Sequence, residues 1–187
     1  MVQPLVIGYS LLARFFHWLT AALIFIAVPL AVLAVNAPPG PEKANLFFWH
    51  KAFGISVLIV VALRALQRLI NGTPGPHPQL PHIEKIGSEA VHILLYVLLL
   101  VVPLLGWAAS SALGHPPSFF GFFTLPAILP PDKALGEKLF DIHVVLAFLL
   151  AGLAAFHIMF AIYHGLVRQD GVMTRMVSGT NRGSGHA

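Results

Sequence analysis

The sequence contains no cysteine and little charge. Without cysteine there are no disulfides, iron–sulfur clusters or thiolate zinc sites. Covalent haem attachment through C-x-x-C-H is excluded as well. Charged residues make up 10% of the 187 residues, against about 25% in an ordinary soluble domain. A soluble fold of this length would need a wetter surface. What is present instead is hydrophobic sequence, 57% of the chain, gathered in long blocks. Lipid is the solvent such blocks suit.

The blocks are roughly 10–35, 46–70, 86–113 and 138–167. Each holds the roughly 20 apolar residues that cross about 30 Å of hydrocarbon as a helix. Breakers bound them: Pro38, Pro39, Gly40 and Pro41 after the first, Gly72, Pro74, Gly75 and Pro76 after the second, Gly114, Pro116 and Pro117 after the third, and Gly171 after the fourth. The first block ends in Asn36-Ala37-Pro38-Pro39 without a convincing cleavage site, so it reads as a mature helix. Pro29 and Pro103 lie inside spans, where neighbouring helices must cover the freed carbonyls. The pattern predicts an all-α, integral membrane four-helix bundle. It forms one domain over 1–187, with a short flexible tail from about 178. The segment 115–137 is the longest connection. Its Phe119-Phe120-Gly121-Phe122-Phe123 run reads as an interfacial or re-entrant cap, with room for a short amphipathic helix.

The net charge of +4 points to membrane topology, not to nucleic acid, because the basic residues flank the apolar blocks. Arg14, Arg64, Arg68, Lys85, Arg168, Arg175 and Arg182 fall on one face, and Lys43, Lys51, Lys133 and Lys138 on the other. The arginine-bearing face is therefore placed in the cytoplasm, with both termini, and the third loop outside. The expected location is a bacterial inner membrane, where lipid is the first partner.

Histidine is over-represented, with ten residues. His17, His50, His92, His143, His157 and His164 fall within the spans. His77, His82, His115 and His186 fall in loops or the tail and read as solvated. Ionisable groups at membrane depth are costly and usually functional. Axial ligation of haem iron by imidazole accounts for several at once. His50 and His143 each lie about five residues in from the outer face, roughly 7 Å, and form a natural pair. His157 follows His143 by fourteen residues, roughly 21 Å on nearly the same helix face. That spacing suits two stacked haems. His17 and His92 each lie about 10 Å from the inner face. Spacing alone leaves either as the partner of His157, and His164 continues the same face by another heptad. Aromatic residues near these histidines are explained equally by interfacial belts and packing. Gly54, Gly87, Gly106 and Gly152 are weak signals of close approach.

The stretch Arg14-Phe15-Phe16-His17-Trp18, the run His50-Lys51-Ala52-Phe53-Gly54-Ile55-Ser56, the run Asp141-Ile142-His143, the pair His157 and His164, and the tail Asp170-Gly171-Val172-Met173-Thr174-Arg175-Met176 closely resemble the bacterial cytochrome b561 family. The resemblance covers about residues 10 to 177. It implies a bundle with two haem b groups, one held by His17 and His157 and the other by His50 and His143. It leaves His92 and His164 as non-ligating neighbours for quinone or proton transfer. It also implies the activity of members that oxidise superoxide: the anion leaves as dioxygen and ubiquinone becomes ubiquinol.

Some residues support that chemistry independently. Lys51 sits beside His50 and can draw in a small anion, although Glu42, Asp132, Glu137 and Asp141 nearly cancel the lysines on that face. Quinone reduction needs protons, and His164, His92 and Arg14 gather at the inner end by topology. Lys51 and Ser56 keep an outer quinone pocket in play. The expected machinery is thus Lys51 and His164 in the reaction, with superoxide and ubiquinone as small partners. A rival reading is a b-type anchor subunit that takes electrons from a partner dehydrogenase or hydrogenase. A non-redox class, a transporter or bare-metal protein, would use the histidines directly. A redox partner protein and a homo-oligomer both remain compatible with the sequence.

Overall fold

The computed structural model describes residues 8–72, 74–75 and 80–179. His77, Arg182, His186 and most of the expected tail lie outside the described residues. Four long helices dominate: α1 Leu11–Asn36, α2 Pro41–Asn71, α3 His82–Ala112 and α4 Lys133–Ile162. A π-helical turn, Tyr163–Arg168, continues α4, and a short α5 spans Thr174–Val177. All four long helices have the length and hydropathy to cross a membrane.

The helices begin where local chemistry lets them. Ser10 caps α1, its hydroxyl accepting from Ala13 N at 3.2 Å. Pro41 opens α2 at a position where its missing N–H costs nothing, and Glu42 favours the positive helix start. The helix therefore begins five residues before the apolar block at 46. Asp132 caps α4 by accepting from Leu135 N at 3.0 Å, so α4 starts at Lys133 and not at 138. Lys43, Lys133 and Lys138 consequently stand on helices and not in loops. Helices α1 and α3 run through Pro29 and Pro103 without interruption.

The third connection carries no helix. Its short antiparallel pair, β1 Ser118–Phe119 and β2 Phe123–Thr124, forms a hairpin. Phe120 and Gly121 turn the chain with φ of 51° and 80°. The Phe120 ring packs edge-on to Phe53 at 5.3 Å and lies 6.0 Å from Trp49, which pins the loop onto α2. Lys51 Nζ donates to the His115 carbonyl at 2.9 Å, a second tie between α2 and this loop.

Helix α1 packs chiefly on α2, and α3 on α4, with α2 and α3 also in contact. The core lies at mid-depth and joins Val57 and Val61 to Leu98, Leu99, Val102 and Leu150. Helix α4 is closely packed on α3 but hardly on α1 or α2. A slot therefore runs between α4 and the α1/α2 hairpin. At the terminal end the chain closes on itself. Arg14 Nη1 donates to Val177 O at 2.9 Å, Trp18 Nε1 donates to Met176 O at 3.3 Å, and Tyr9 N donates to Arg175 O at 3.2 Å. Arg168 Nη1 donates to both Glu84 oxygens, at 2.8 and 2.6 Å, and ties α4 to the start of α3.

Candidate haem sites between the helices

Four histidines point into the slot and meet in pairs at two depths. At the loop end, His50 of α2 faces His143 of α4 with ring centres 6.2 Å apart. At the terminal end, His17 of α1 faces His157 of α4, also at 6.2 Å. Two imidazoles gripping one metal from opposite sides, each nitrogen about 2 Å from it and each ring centre roughly 1 Å further back, stand about 6 Å apart. Leu150 lies midway between His143 and His157 in sequence and belongs to the core. The pairs are therefore separated by packed aliphatic side chains.

The loop-end pair has its tautomers set. His50 Nδ1 lies 2.9 Å from Ala27 O, and His143 Nδ1 lies 2.8 Å from Val102 O. A carbonyl can only accept, so each Nδ1 carries the proton and each Nε2 keeps its lone pair for a metal. This is the usual support of a metal-bound histidine. Gly106 lets His143 reach α3: a Cβ there would stand 3.0 Å from His143 Cε1. Gly54, one turn after His50 and partly buried, has nothing within 4 Å of where a Cβ would stand. Gly87 and Gly152 likewise face open space, so only Gly106 of the four marks close approach.

The terminal pair is different. Arg64 Nη2 lies 3.1 Å from His17 Nδ1, and its guanidinium lies 5.1 Å from the Tyr96 ring centre. His92 sits on the other side of His157, with ring centres 5.2 Å apart and its Nδ1 3.4 Å from Ser88 Oγ. Three imidazoles thus gather at this end, and only the His17–His157 distance matches the loop-end pair.

Other singled-out residues fall where topology put them. His164 is buried in the π-helical turn, its Nδ1 2.6 Å from Asp170 Oδ2. Asp170 also meets Arg168 Nε at 3.4 Å. Sequence reasoning missed this partner, although the chain reversal at Gln169 and Gly171, both at positive φ, is what returns Asp170 to His164. Arg14 lines a surface cavity of about 410 Å³ with Leu11, Phe15, Trp18, Leu19 and Val177. Its Nε is buried without a partner among the described residues. Ser56 Oγ donates to Ala52 O at 3.0 Å within its own helix. His82 and His115 are exposed. Among the described residues, no three His, Asp or Glu gather as a site for a bare metal ion.

A membrane bundle with imidazoles paired across a slot at two depths has the donor set of a haem-bearing electron carrier. The family model of prokaryotic cytochrome b561 matches residues 8–179, and the chain belongs to that family. It is a multi-pass bacterial membrane protein of a b-type haem, electron-transfer family. It is 30% identical over 176 residues to "Cytochrome b561 homolog 2" of Escherichia coli strain K12, covering 90% of both chains. It is 28% identical to "Cytochrome b561 homolog 1" of the same organism, over 87% of this chain and 93% of that one. The "Probable superoxide oxidase CybB" of Yersinia pestis is 27% identical over 90% of this chain and 95% of its own length.

Proposed function

We propose that this chain binds two haem b groups and carries electrons from superoxide at its loop end to ubiquinone. The observation that carries this reading is the repeated 6.2 Å imidazole pairing at two depths of one slot. His50 and His143 hold one group, and His17 and His157 the other. Bound haem supplies a one-electron carrier at each pair. The protein fixes the rings, keeps Nε2 free at the loop end, and fills the space between the pairs with aliphatic side chains. Both termini face the cytoplasm of an inner membrane in this reading, because the arginines gather at their end. The likeness to a named probable superoxide oxidase supports the donor.

The reaction balances as two superoxide anions, one ubiquinone and two protons giving two dioxygen and one ubiquinol. Lys51, fixed over the loop end by its bond to the His115 carbonyl, attracts the anion. His164, oriented by Asp170, is placed to pass protons at the other end. Arg14 Nε, without a partner among the described residues and beside an apolar cavity, suits a quinone carbonyl at that same end. His92 lines the terminal pair without ligating. Ser56, bonded within α2, lends no support to a loop-end quinone pocket.

The test is turnover by the purified, haem-loaded chain supplied with enzymatically generated superoxide and a soluble ubiquinone. Ubiquinol should form with matching release of dioxygen. Electron transfer only in the presence of a copurified dehydrogenase would replace this reading with that of an anchor subunit.

A further inference from the structure

From Pro116 to Pro131 the third connection carries no charged residue. Its hairpin leaves Phe122 83% and Phe123 57% exposed. Large apolar side chains left together in the open mark a contact surface. The depth of this surface is fixed by what the hairpin touches on its other side. Phe120 packs on Trp49 and Phe53, and a Cβ on Gly121 would lie 3.9 Å from Phe48 Cζ. Phe48 and Phe53 stand roughly 10 and 18 Å along α2 from its start at Pro41. Both fall inside the apolar block that begins at 46. The hairpin therefore does not stand above the bundle. It dips beside α2 to a level where that helix has become hydrophobic. The connection is held there from α3 as well: Trp107 Nε1 donates to Pro126 O at 3.0 Å, and Ser111 Oγ accepts from Ile128 N at 3.3 Å.

The backbone suits that depth, because polar groups near hydrocarbon must find partners within the protein. Phe122 N donates to Phe119 O at 3.0 Å, and Leu125 N to Pro117 O at 2.8 Å. The Phe123 carbonyl accepts from Ser118 Oγ at 3.3 Å. We propose that the Phe122–Phe123 edge of the hairpin is a lipid contact, seated at the headgroup–acyl boundary of the leaflet at the loop end. Phe120 then faces protein and Phe122 faces lipid, so the hairpin is held between the bilayer and the helix that carries His50. The occupant is lipid, not a second protein, on grounds of area and continuity. Two phenylalanine rings bury about 150–250 Å² each, well under the roughly 800 Å² per partner of a specific protein interface. The edge also continues the lipid-facing surface of a bundle whose helices cross the membrane.

The chain has no cysteine, so Phe122→Cys gives a single attachment point at a side chain that stands in the open. The purified, haem-loaded full chain is labelled there with bimane and placed in phosphatidylcholine nanodiscs, which leave both membrane faces accessible. Quenching by phosphatidylcholine carrying a nitroxide high on its acyl chain is compared with quenching by aqueous iodide. Two further single-cysteine variants give the reference values. Phe148→Cys, 70% exposed at the middle of α4, reports lipid. Lys133→Cys, whose native side chain is 85% exposed at the start of α4, reports water. The label at 122 should be quenched severalfold more by the nitroxide lipid than by iodide, in the same order as at 148. Phe123→Cys should behave alike, and it tests the same edge with Phe122 in place. Stronger quenching by iodide, as at 133, overturns the proposal. Protection from both quenchers overturns it equally, since a second copy or another protein would then cover the edge.

Discussion

The imidazole of His143 rests against Gly106, so closely that a Cβ on that glycine would stand 3.0 Å from Cε1 and 3.1 Å from Nδ1. The missing side chain is what lets the ring hydrogen-bond to Val102 O on the neighbouring helix. Overpacking of this kind typically costs about 1–3 kcal/mol. Under the two-haem proposal, Gly106→Val should therefore displace His143 and lower haem content from two per chain towards one, with the helical circular dichroism preserved. Full haem content with an unaltered spectrum would show that the close approach does not position this ring.

Replacing the ligands themselves separates the two sites. His143→Ala should lose the loop-end haem and His157→Ala the terminal one, while the remaining group keeps its absorbance. Pyridine haemochrome stoichiometry reads this directly. Either variant retaining both groups refutes that ligand.

The terminal end poses a sharper question, since His157 has two imidazole neighbours. His17→Ala should release the terminal haem, whereas His92→Ala should keep it. The expectation rests on the 6.2 Å separation, which His17 shares with the loop-end pair, against 5.2 Å for His92. Haem loss from His92→Ala with retention in His17→Ala would exchange their roles.

Much of this arrangement was legible in the sequence because lipid is a demanding solvent. A helix must keep about 20 apolar residues together, so α1 to α4 declare themselves. Equal depth from one face sufficed to pair His50 with His143, and the structure brings them together. Depth could not separate His17 from His92, because both lie about two turns into apolar blocks that start on the same face, and both end beside His157. Helix starts were less legible. Pro41 and Asp132 extend α2 and α4 beyond their apolar blocks through capping chemistry, which hydropathy does not register. The phenylalanine-rich loop formed a hairpin because Phe120 and Gly121 take left-handed conformations, not because of any apolar periodicity. The π-helical turn at His164 was invisible to a 3.6-residue pattern.

In the proposed superoxide reaction Lys51 has two jobs that a single substitution disturbs unequally. Its Nζ anchors the loop at His115 and places a positive charge over the His50 end. Lys51→Gln keeps a donor for the carbonyl and removes the charge. Superoxide turnover should fall severalfold at low salt, and its dependence on ionic strength should flatten, because steering by exposed charge is screened over roughly 10 Å at 0.1 M. Haem content should stay at the native level. Unchanged rates at low salt would mean that Lys51 serves the loop alone.

His164 and Asp170 make the last case. They approach to 2.6 Å inside the π-helical turn, and such turns recur at functional sites. Asp170 accepts from Nδ1, which leaves Nε2 as the exchangeable position. Asp170→Asn can instead donate to Nδ1, which moves the imidazole proton to Nε2 and reverses the role of that nitrogen. If His164 passes protons to quinone, ubiquinol formation should fall by roughly 100-fold. Reduction of the haems by superoxide should persist at the native rate, since that step consumes no proton. Stopped-flow absorbance separates the two phases. A variant slowed equally in both would place His164 and Asp170 in holding the bundle together, alongside the Arg168–Glu84 pair that closes the same end.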